Sequence, residues 1–150
     1  MSGAPIDEIA AATRTSKRMI YYHFGSKEGL SLAVLEESYR RIREIEARLD
    51  LEDLEPENAL RKLVASTFDY QHDNDDFIRL MNENMHRGEY LAQSKTIHRQ
   101  NVPAINEVKS VYARARRKGQ RLRRGVDPGD LHMSISALCF LNVANRAPSA

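Results

Sequence analysis

A cluster of basic side chains near the N-terminus could contact the phosphates and base edges of a nucleic acid. Between Thr13 and Lys27 the chain carries four cations (Arg14, Lys17, Arg18 and Lys27) and no acid, although the formal net charge of all 150 residues is only +2. Cations that neutralise phosphates release condensed counterions, which provides affinity independent of base sequence. The same residues could instead form an ordinary solvated helix surface, and charge alone favours that interpretation.

The apolar residues around this cluster have the spacing of two short helices joined by a tight turn. Ile9 and Ala10 lie on one face of the first helix, and Ala10 is small enough to let a second helix cross closely. Ser16 is a suitable N-cap for the second helix, because its hydroxyl can accept a hydrogen bond from a backbone N–H. Ile20 then points back onto the first helix. This is the spacing of a helix-turn-helix, whose second helix lies in the DNA major groove, and it outweighs the solvated-surface interpretation.

The segment IAAATRTSKRMI followed by YYHFGSKEGL resembles the signature of the tetracycline-repressor (TetR) family of one-component bacterial regulators. The resemblance implies that Tyr21 and Lys27 hold phosphates, that residues 16–19 face base edges, and that Tyr22 and His23 lie near the DNA backbone or support the motif. Lys27 is also placed at the start of a helix capped by Ser26, where free N–H groups favour an anion. The candidate DNA-binding residues are Thr15, Ser16, Lys17, Arg18, Met19, Tyr21, Tyr22, His23 and Lys27.

Two residues of the motif depart from the family pattern. Arg14 stands at the turn where the family usually has glycine, so we expect an arginine in a left-handed backbone conformation, which costs free energy. Met19 stands where a small residue is common, and we expect this to change base readout.

Both ends of the chain look trimmed relative to the family. Members begin with a full helix before the motif, whereas only Met1 to Pro5 precede it here, and they generally continue beyond the final RAPSA. Without the first helix we expect Ile9, Ile20 and Phe24 to be partly exposed. An alternative function is therefore a helical dimerisation or ligand-binding fragment that no longer binds DNA.

The rest of the chain predicts an all-α protein, with the helix-turn-helix in residues 1–46 and a helical regulatory and dimerisation domain in residues 47–150. Apolar residues recur at helical spacing from Ser26 to about Asp50. Pro56 and Pro103 are each placed to open a helix. Asp127 is the predicted cap of the last helix.

That last helix, LHMSISALCFLNVAN, is apolar on nearly every side. Such a helix is buried in a core or by a partner. A chain of this size cannot surround it, so we predict a homodimer contact, and the TetR family does dimerise through its last two helices. Two recognition helices on a two-fold axis read half-sites roughly 34 Å apart, which predicts a near-palindromic operator in double-stranded DNA.

The family resemblance also implies a pocket for a small-molecule inducer that releases the protein from DNA. Candidate wall residues are large and adaptable, and each taken singly is more simply explained as core. They are Phe68, Phe77, Met81, Met85 and Tyr112, with Tyr70 and Tyr90 as further members.

Other classes of function are not supported by the sequence. The composition, 41% hydrophobic and 29% charged, is that of a soluble globular protein, and no run is long enough to span a membrane. A single cysteine and no evident signal peptide predict a cytoplasmic location. The histidines are scattered without ligand spacing, and no catalytic triad or phosphate loop occurs, so we predict no metal, no cofactor and no enzyme activity.

A second basic run, ARARRKGQRLRR, holds seven cations between Arg114 and Arg124. It could be another nucleic-acid contact, but cations also gather at helix C-termini, where the helix dipole favours them. We prefer the solvated-surface interpretation for this run.

Overall fold

A computed structural model of the chain describes residues 5–87, 94–119, 123 and 125–146, with the backbone alone for residues 84–87. Within these ranges the chain forms seven helices and no strand, which confirms the predicted all-α class. The helices are α1 Ile6–Ala12, α2 Lys17–Phe24, α3 Lys27–Glu46, α4 Pro56–Asp73, α5 Asp75–Arg87, α6 Lys95–Arg117 and α7 Pro128–Ala144.

Helix α3 connects the N-terminal helices to the rest of the molecule, since it packs on α2 at one end and on α4 and α6 further along. It begins at Lys27, directly after the predicted Ser26 cap, but it ends at Glu46 rather than near Asp50. Asp50 instead adopts a left-handed φ of 50°. The bend directs Leu51, 3% exposed, into the core, and this long-range burial is invisible to helical periodicity.

Helix α6 shows that the prediction for Pro103 was wrong. The helix begins at Lys95, where the Ser94 hydroxyl accepts a hydrogen bond from the Ile97 N–H at 3.1 Å. Pro103 therefore lies inside the helix, where it cannot donate to the carbonyl four residues earlier. The cap and the burial of Ile97, 2% exposed, stabilise the turns before the proline.

The main core lies between α4, α6 and α7, closed on one side by the segment after α3. Its buried members are Leu51, Ala59, Leu63, Val108, Val111, Ile135 and Cys139. A smaller cluster of Phe77, Ile78 and Val143 joins α5 to α7. The main core therefore lies in a bundle formed by α4–α7, on which α3 packs. Helices α1 and α2 lie outside this core.

Helix α7 starts as predicted, with the Asp127 carboxylate accepting from the N–H groups of Gly129 and Asp130 at 2.8 and 3.1 Å. One face is buried, and it comprises His132, Ile135, Cys139 and Val143. The opposite face is apolar but exposed, with Met133, Leu138 and Leu141 at 63%, 62% and 57% exposure. No helix of the described ranges is long and apolar enough to cross a bilayer.

Candidate nucleic-acid interface

The turn between α1 and α2 is held by backbone hydrogen bonds typical of a Schellman motif. The Thr15 N–H donates to the Ala10 carbonyl at 3.0 Å, and the Arg14 N–H donates to the Ala11 carbonyl at 3.2 Å. Arg14 has φ 52°, so the expected left-handed arginine is confirmed. The Thr13 hydroxyl donates to the Ile9 carbonyl at 2.7 Å and satisfies another group at the end of α1.

Helix α2 is capped and anchored as predicted. The Ser16 hydroxyl accepts from the Met19 N–H at 3.2 Å. Ile20, 4% exposed, packs with Ile6 and Ala10. The expectation that Ile20 is partly exposed was therefore wrong, because Ile9 and Leu30 also pack against this cluster and complete its cover.

The two other residues expected to be partly exposed are so. Ile9 is half-buried against the same small cluster. Phe24, at the C-terminal end of α2, is 40% exposed.

The remaining side chains of α2 are exposed to different extents. Ile20 is the only buried residue of this helix. Tyr22 is 79% exposed, and Met19 and Tyr21 are 44% and 46% exposed. The candidate residues classed as exposed are Thr15, Ser16, Lys17, Arg18, Met19, Tyr21, Tyr22 and His23. The structure therefore brings these candidates together on one short capped helix and the residue before its cap.

The joint between α2 and α3 requires two glycines. Gly25 has φ 75°, and its N–H donates to the Tyr21 carbonyl at 2.9 Å to close α2. A Cβ on Gly29 would lie 2.0 Å from the Phe24 carbonyl oxygen, so no larger residue fits there. Lys27, the last candidate, is half-buried in the first turn of α3, next to this joint.

Sequence reasoning missed one residue of this region, Asp7. Its carboxylate lies 2.5 Å from the Lys17 ammonium, and the two side chains are 69% and 53% exposed. The pair joins α1 to the first turn of α2. The signal available in the sequence was an acid in the first turn of α1 and a base in the first turn of α2, but the crossing of the helices was needed to pair them.

The candidate pocket residues do not surround one cavity. Phe77 and Met81 belong to the α5–α7 cluster, whereas Tyr112 packs against the main core. Phe68 contacts both clusters and also lines an open groove of about 840 Å³ between α4 and α7. The side chains of Met85 and Tyr90 lie outside the described part of the chain.

The second basic run is partly used in internal contacts. The Arg114 guanidinium donates to the carbonyls of Leu51 and Glu52, the first at 2.8 Å. The Lys118 ammonium lies 2.5 Å from the Glu55 carboxylate. These cations hold the segment between α3 and α4, which follows the end of α3 that is remote from α2.

The described side chains include no group of three or more histidine, cysteine or acidic residues placed to hold a metal ion.

Together these features define a helix-turn-helix DNA-binding regulator. Residues 1–34 match the family model of bacterial regulatory proteins of the tetR family, and residues 56–149 match that of the tetracyclin repressor-like C-terminal domain. The chain is 32% identical over 146 residues to the HTH-type transcriptional repressor NicS of Pseudomonas putida, an alignment that covers 97% of this chain and 68% of that protein. The chain belongs to the TetR family of transcriptional regulators, which are generally not enzymes.

Proposed function

We propose that this protein is a dimeric, ligand-responsive repressor that binds a near-palindromic operator with its helix-turn-helix domain, residues 1–46. The head of this domain is α1, α2 and the first turn of α3, and the rest of α3 packs on the bundle. The observation that carries the proposal is the exposure of the α2 side chains. One side chain, Ile20, anchors the helix, and the others are exposed. A recognition helix needs this arrangement, because side chains that fill a core cannot reach base edges.

We assign the contacts within the head by position. Residues 16–19 form the start of α2, the part of a recognition helix that contacts bases. Tyr21, Tyr22 and His23 lie on the following turn, where they contact the sugar-phosphate backbone of the DNA. Lys27 and the capped start of α3 provide a second phosphate contact.

Dimerisation is supported by the exposed apolar face of α7. Met133, Leu138 and Leu141 are each more than half exposed, and a contiguous apolar patch of this kind is typical of a protein interface. Residues 47–150 would then supply both the dimer contact and the inducer site.

The inducer site is supported by the groove between α4 and α7, which contains Phe68 and has the volume of a small-molecule site. Its walls include Leu60, Val64 and Leu138. Because α7 also carries the proposed dimer face, a ligand in this groove could change the separation of the two heads. It must bind the two arrangements with unequal affinity to do so.

DNA binding is tested by selecting duplexes from a randomised pool and measuring the affinity of the enriched site. We expect a near-palindrome, with Arg18→Ala and Lys27→Ala each weakening binding about tenfold or more. Arg116→Ala is the matched control, since Arg116 is an exposed arginine of the second basic run. Lack of enrichment, or an equal loss with the control, would contradict the proposed interface.

Dimerisation is tested separately by sedimentation of Leu141→Glu, a position of the α7 face that does not line the groove, beside Lys109→Glu, an exposed position on α6. We expect the first variant to be monomeric and the second to remain dimeric. A monomeric wild-type protein would remove the dimer from the proposal and leave the DNA-binding head untouched.

A further inference from the structure

A buried charged contact joins the end of α3 to the start of α7. The Arg43 guanidinium lies 2.6 Å from Nε2 of His132, across 89 residues of sequence, and the same Nη1 pairs with the Glu46 carboxylate. The side chains of Arg43 and Glu46 are 11% and 5% exposed, and His132 is 4% exposed. Buried charges of this kind are uncommon unless they are paired.

The chemistry of the contact determines the state of His132. An arginine has only donors, so Nε2 of His132 must be the accepting, unprotonated nitrogen, and Nδ1 carries the hydrogen. Burial and the neighbouring Arg43 charge lower the pKa of His132 to about 4, so the ring is neutral near pH 7. Arg43 thus receives from α7 a neutral acceptor, which adds no further charge to the buried Arg43–Glu46 pair.

Hydrogen bonding within this contact is incomplete. Nε of Arg43 and Nδ1 of His132 are buried without a hydrogen-bond partner among the described residues. An apolar pair would avoid that cost, because buried polar atoms without partners are unfavourable. What the polar pair adds is direction, since the guanidinium must meet both Glu46 on its own helix and His132 on α7.

Helix α3 is the element whose direction matters. It packs on α2, the recognition helix, at its start, and Arg43 lies in its last turn. A second polar contact, from the Ser94 hydroxyl to the Glu36 carboxylate at 2.7 Å, holds its middle to the start of α6. A rotation of α3 about the Glu36 contact would therefore move Arg43 and the head in opposite directions.

We propose that His132 is a positioning residue for DNA binding: through Arg43 it fixes α3, and with it the recognition helix, relative to α7. This inference rests on the proposed function, because α7 matters to DNA binding only if it carries the dimer contact. In the dimer, His132 would then set the separation of the two heads.

The test compares His132→Leu with His132→Gln. Leucine removes the acceptor, whereas the glutamine side-chain oxygen can take the place of Nε2 and restore it. Arg43→Lys is a second disrupting variant: it keeps a cation near Glu46, but its side chain is one bond shorter, so the ammonium does not reach the Nη1 position that contacts both partners. Each protein is measured on the selected operator and on versions with one base pair added or removed between the half-sites, and on a duplex with a single half-site.

We expect His132→Leu and Arg43→Lys to lose about tenfold in affinity for the selected spacing, to discriminate less between spacings, and to bind the single half-site like wild type. His132→Gln should behave like wild type in all three measurements. The inference is overturned if spacing preference is unchanged in both disrupting variants, or if full-site and half-site binding fall together. Should His132→Leu not fold, Arg43→Lys and His132→Gln still decide the matter.

Failure of this inference is distinguishable from failure of the proposed function. If wild-type protein selects no operator or is monomeric, the dimeric repressor itself is wrong. If it selects a palindrome and dimerises while spacing preference ignores His132, only the positioning role is wrong.

Discussion

The N-terminal head and the helical bundle are both built from helices, but they differ in which side chains they bury. The head buries three residues, Ile6, Ala10 and Ile20, and exposes the rest of α2. The bundle buries a larger apolar cluster and encloses a charged pair, Arg43 and Glu46, within it. A helix that contacts DNA needs exposed side chains, whereas a helix that fixes the position of another element needs side chains that are packed.

This contrast also separates the charges of the two regions. Arg14, Lys17 and Arg18 of the head are exposed, and exposed charges contribute little to stability. Arg43 and Glu46 are buried, and burial lowers the pKa of Arg43 and raises that of Glu46, although each is opposed by the charge of the other. The proposed DNA contacts are therefore exposed, whereas the proposed positioning contact is buried.

The largest expected effect comes from the same substitution in both regions. Ile20→Ala and Ile97→Ala each remove a buried isoleucine, 4% and 2% exposed, and should cost about 2–5 kcal/mol. We expect Ile20→Ala to abolish DNA binding while the main unfolding transition moves little, because the small head core stands apart from the bundle. Ile97→Ala should lower the main transition. Calorimetry that shows equal shifts would mean that head and bundle unfold as one unit.

The next effect is a pH dependence confined to the bundle. The folded pKa of His132 is about 4 against an ordinary value of 6.5, so the unfolded chain binds this proton first as pH falls. Stability from this group is therefore fully present above pH 6.5 and is lost between pH 6.5 and 4, by about 3 kcal/mol at most.

Glu46 titrates in the opposite sense, because its raised pKa favours the folded state as pH falls. The measurement is therefore the difference in unfolding free energy between wild type and His132→Gln, in which the Glu46 contribution cancels. A difference that is constant from pH 7 to 4 would show that His132 is not buried as described.

A smaller effect is expected from Arg14 and Asp50, which are left-handed and not glycine. Arg14 has φ 52° and Asp50 has φ 50°. Arg14→Gly should stabilise the head by about 0.5–1 kcal/mol, because the arginine Cβ is strained and glycine is not. Asp50→Gly should gain less, since aspartate tolerates this region better. Thermal unfolding of both variants tests this, and a destabilised Arg14→Gly would point to a packing role for the arginine.

The smallest effect concerns Asp7 and Lys17. Asp7→Asn frees Lys17 for phosphate and removes an acid from the DNA-facing region, so affinity should rise about threefold while stability changes little. The control is Glu57→Gln, which breaks the exposed Arg61–Glu57 pair of the bundle. It should leave operator affinity unchanged. A fall in affinity with Asp7→Asn would show that the ion pair orients Lys17 for binding.

Much of the fold was predictable because its determinants are local. The caps at Ser16, Ser26 and Asp127 and the left-handed Arg14 depend on hydrogen bonds that span only a few residues. The anchoring of α2 follows from Ile20, which helical spacing places opposite Ala10 of α1. These features depend on short-range sterics and capping, which the amino-acid order specifies directly.

Other features depended on contacts between distant parts of the chain. The local sequence predicts a helix start at Pro103. The helix begins at Lys95 instead, because Ser94 caps it and Ile97 is buried. The positions at which Arg43 meets His132 follow from how α3 and α7 pack, and no local pattern encodes that crossing. By itself, the sequence determined where the proposed recognition helix begins and which side chain anchors it. Only the tertiary structure decided how that helix is held, because the energies that hold it arise between residues brought together by folding.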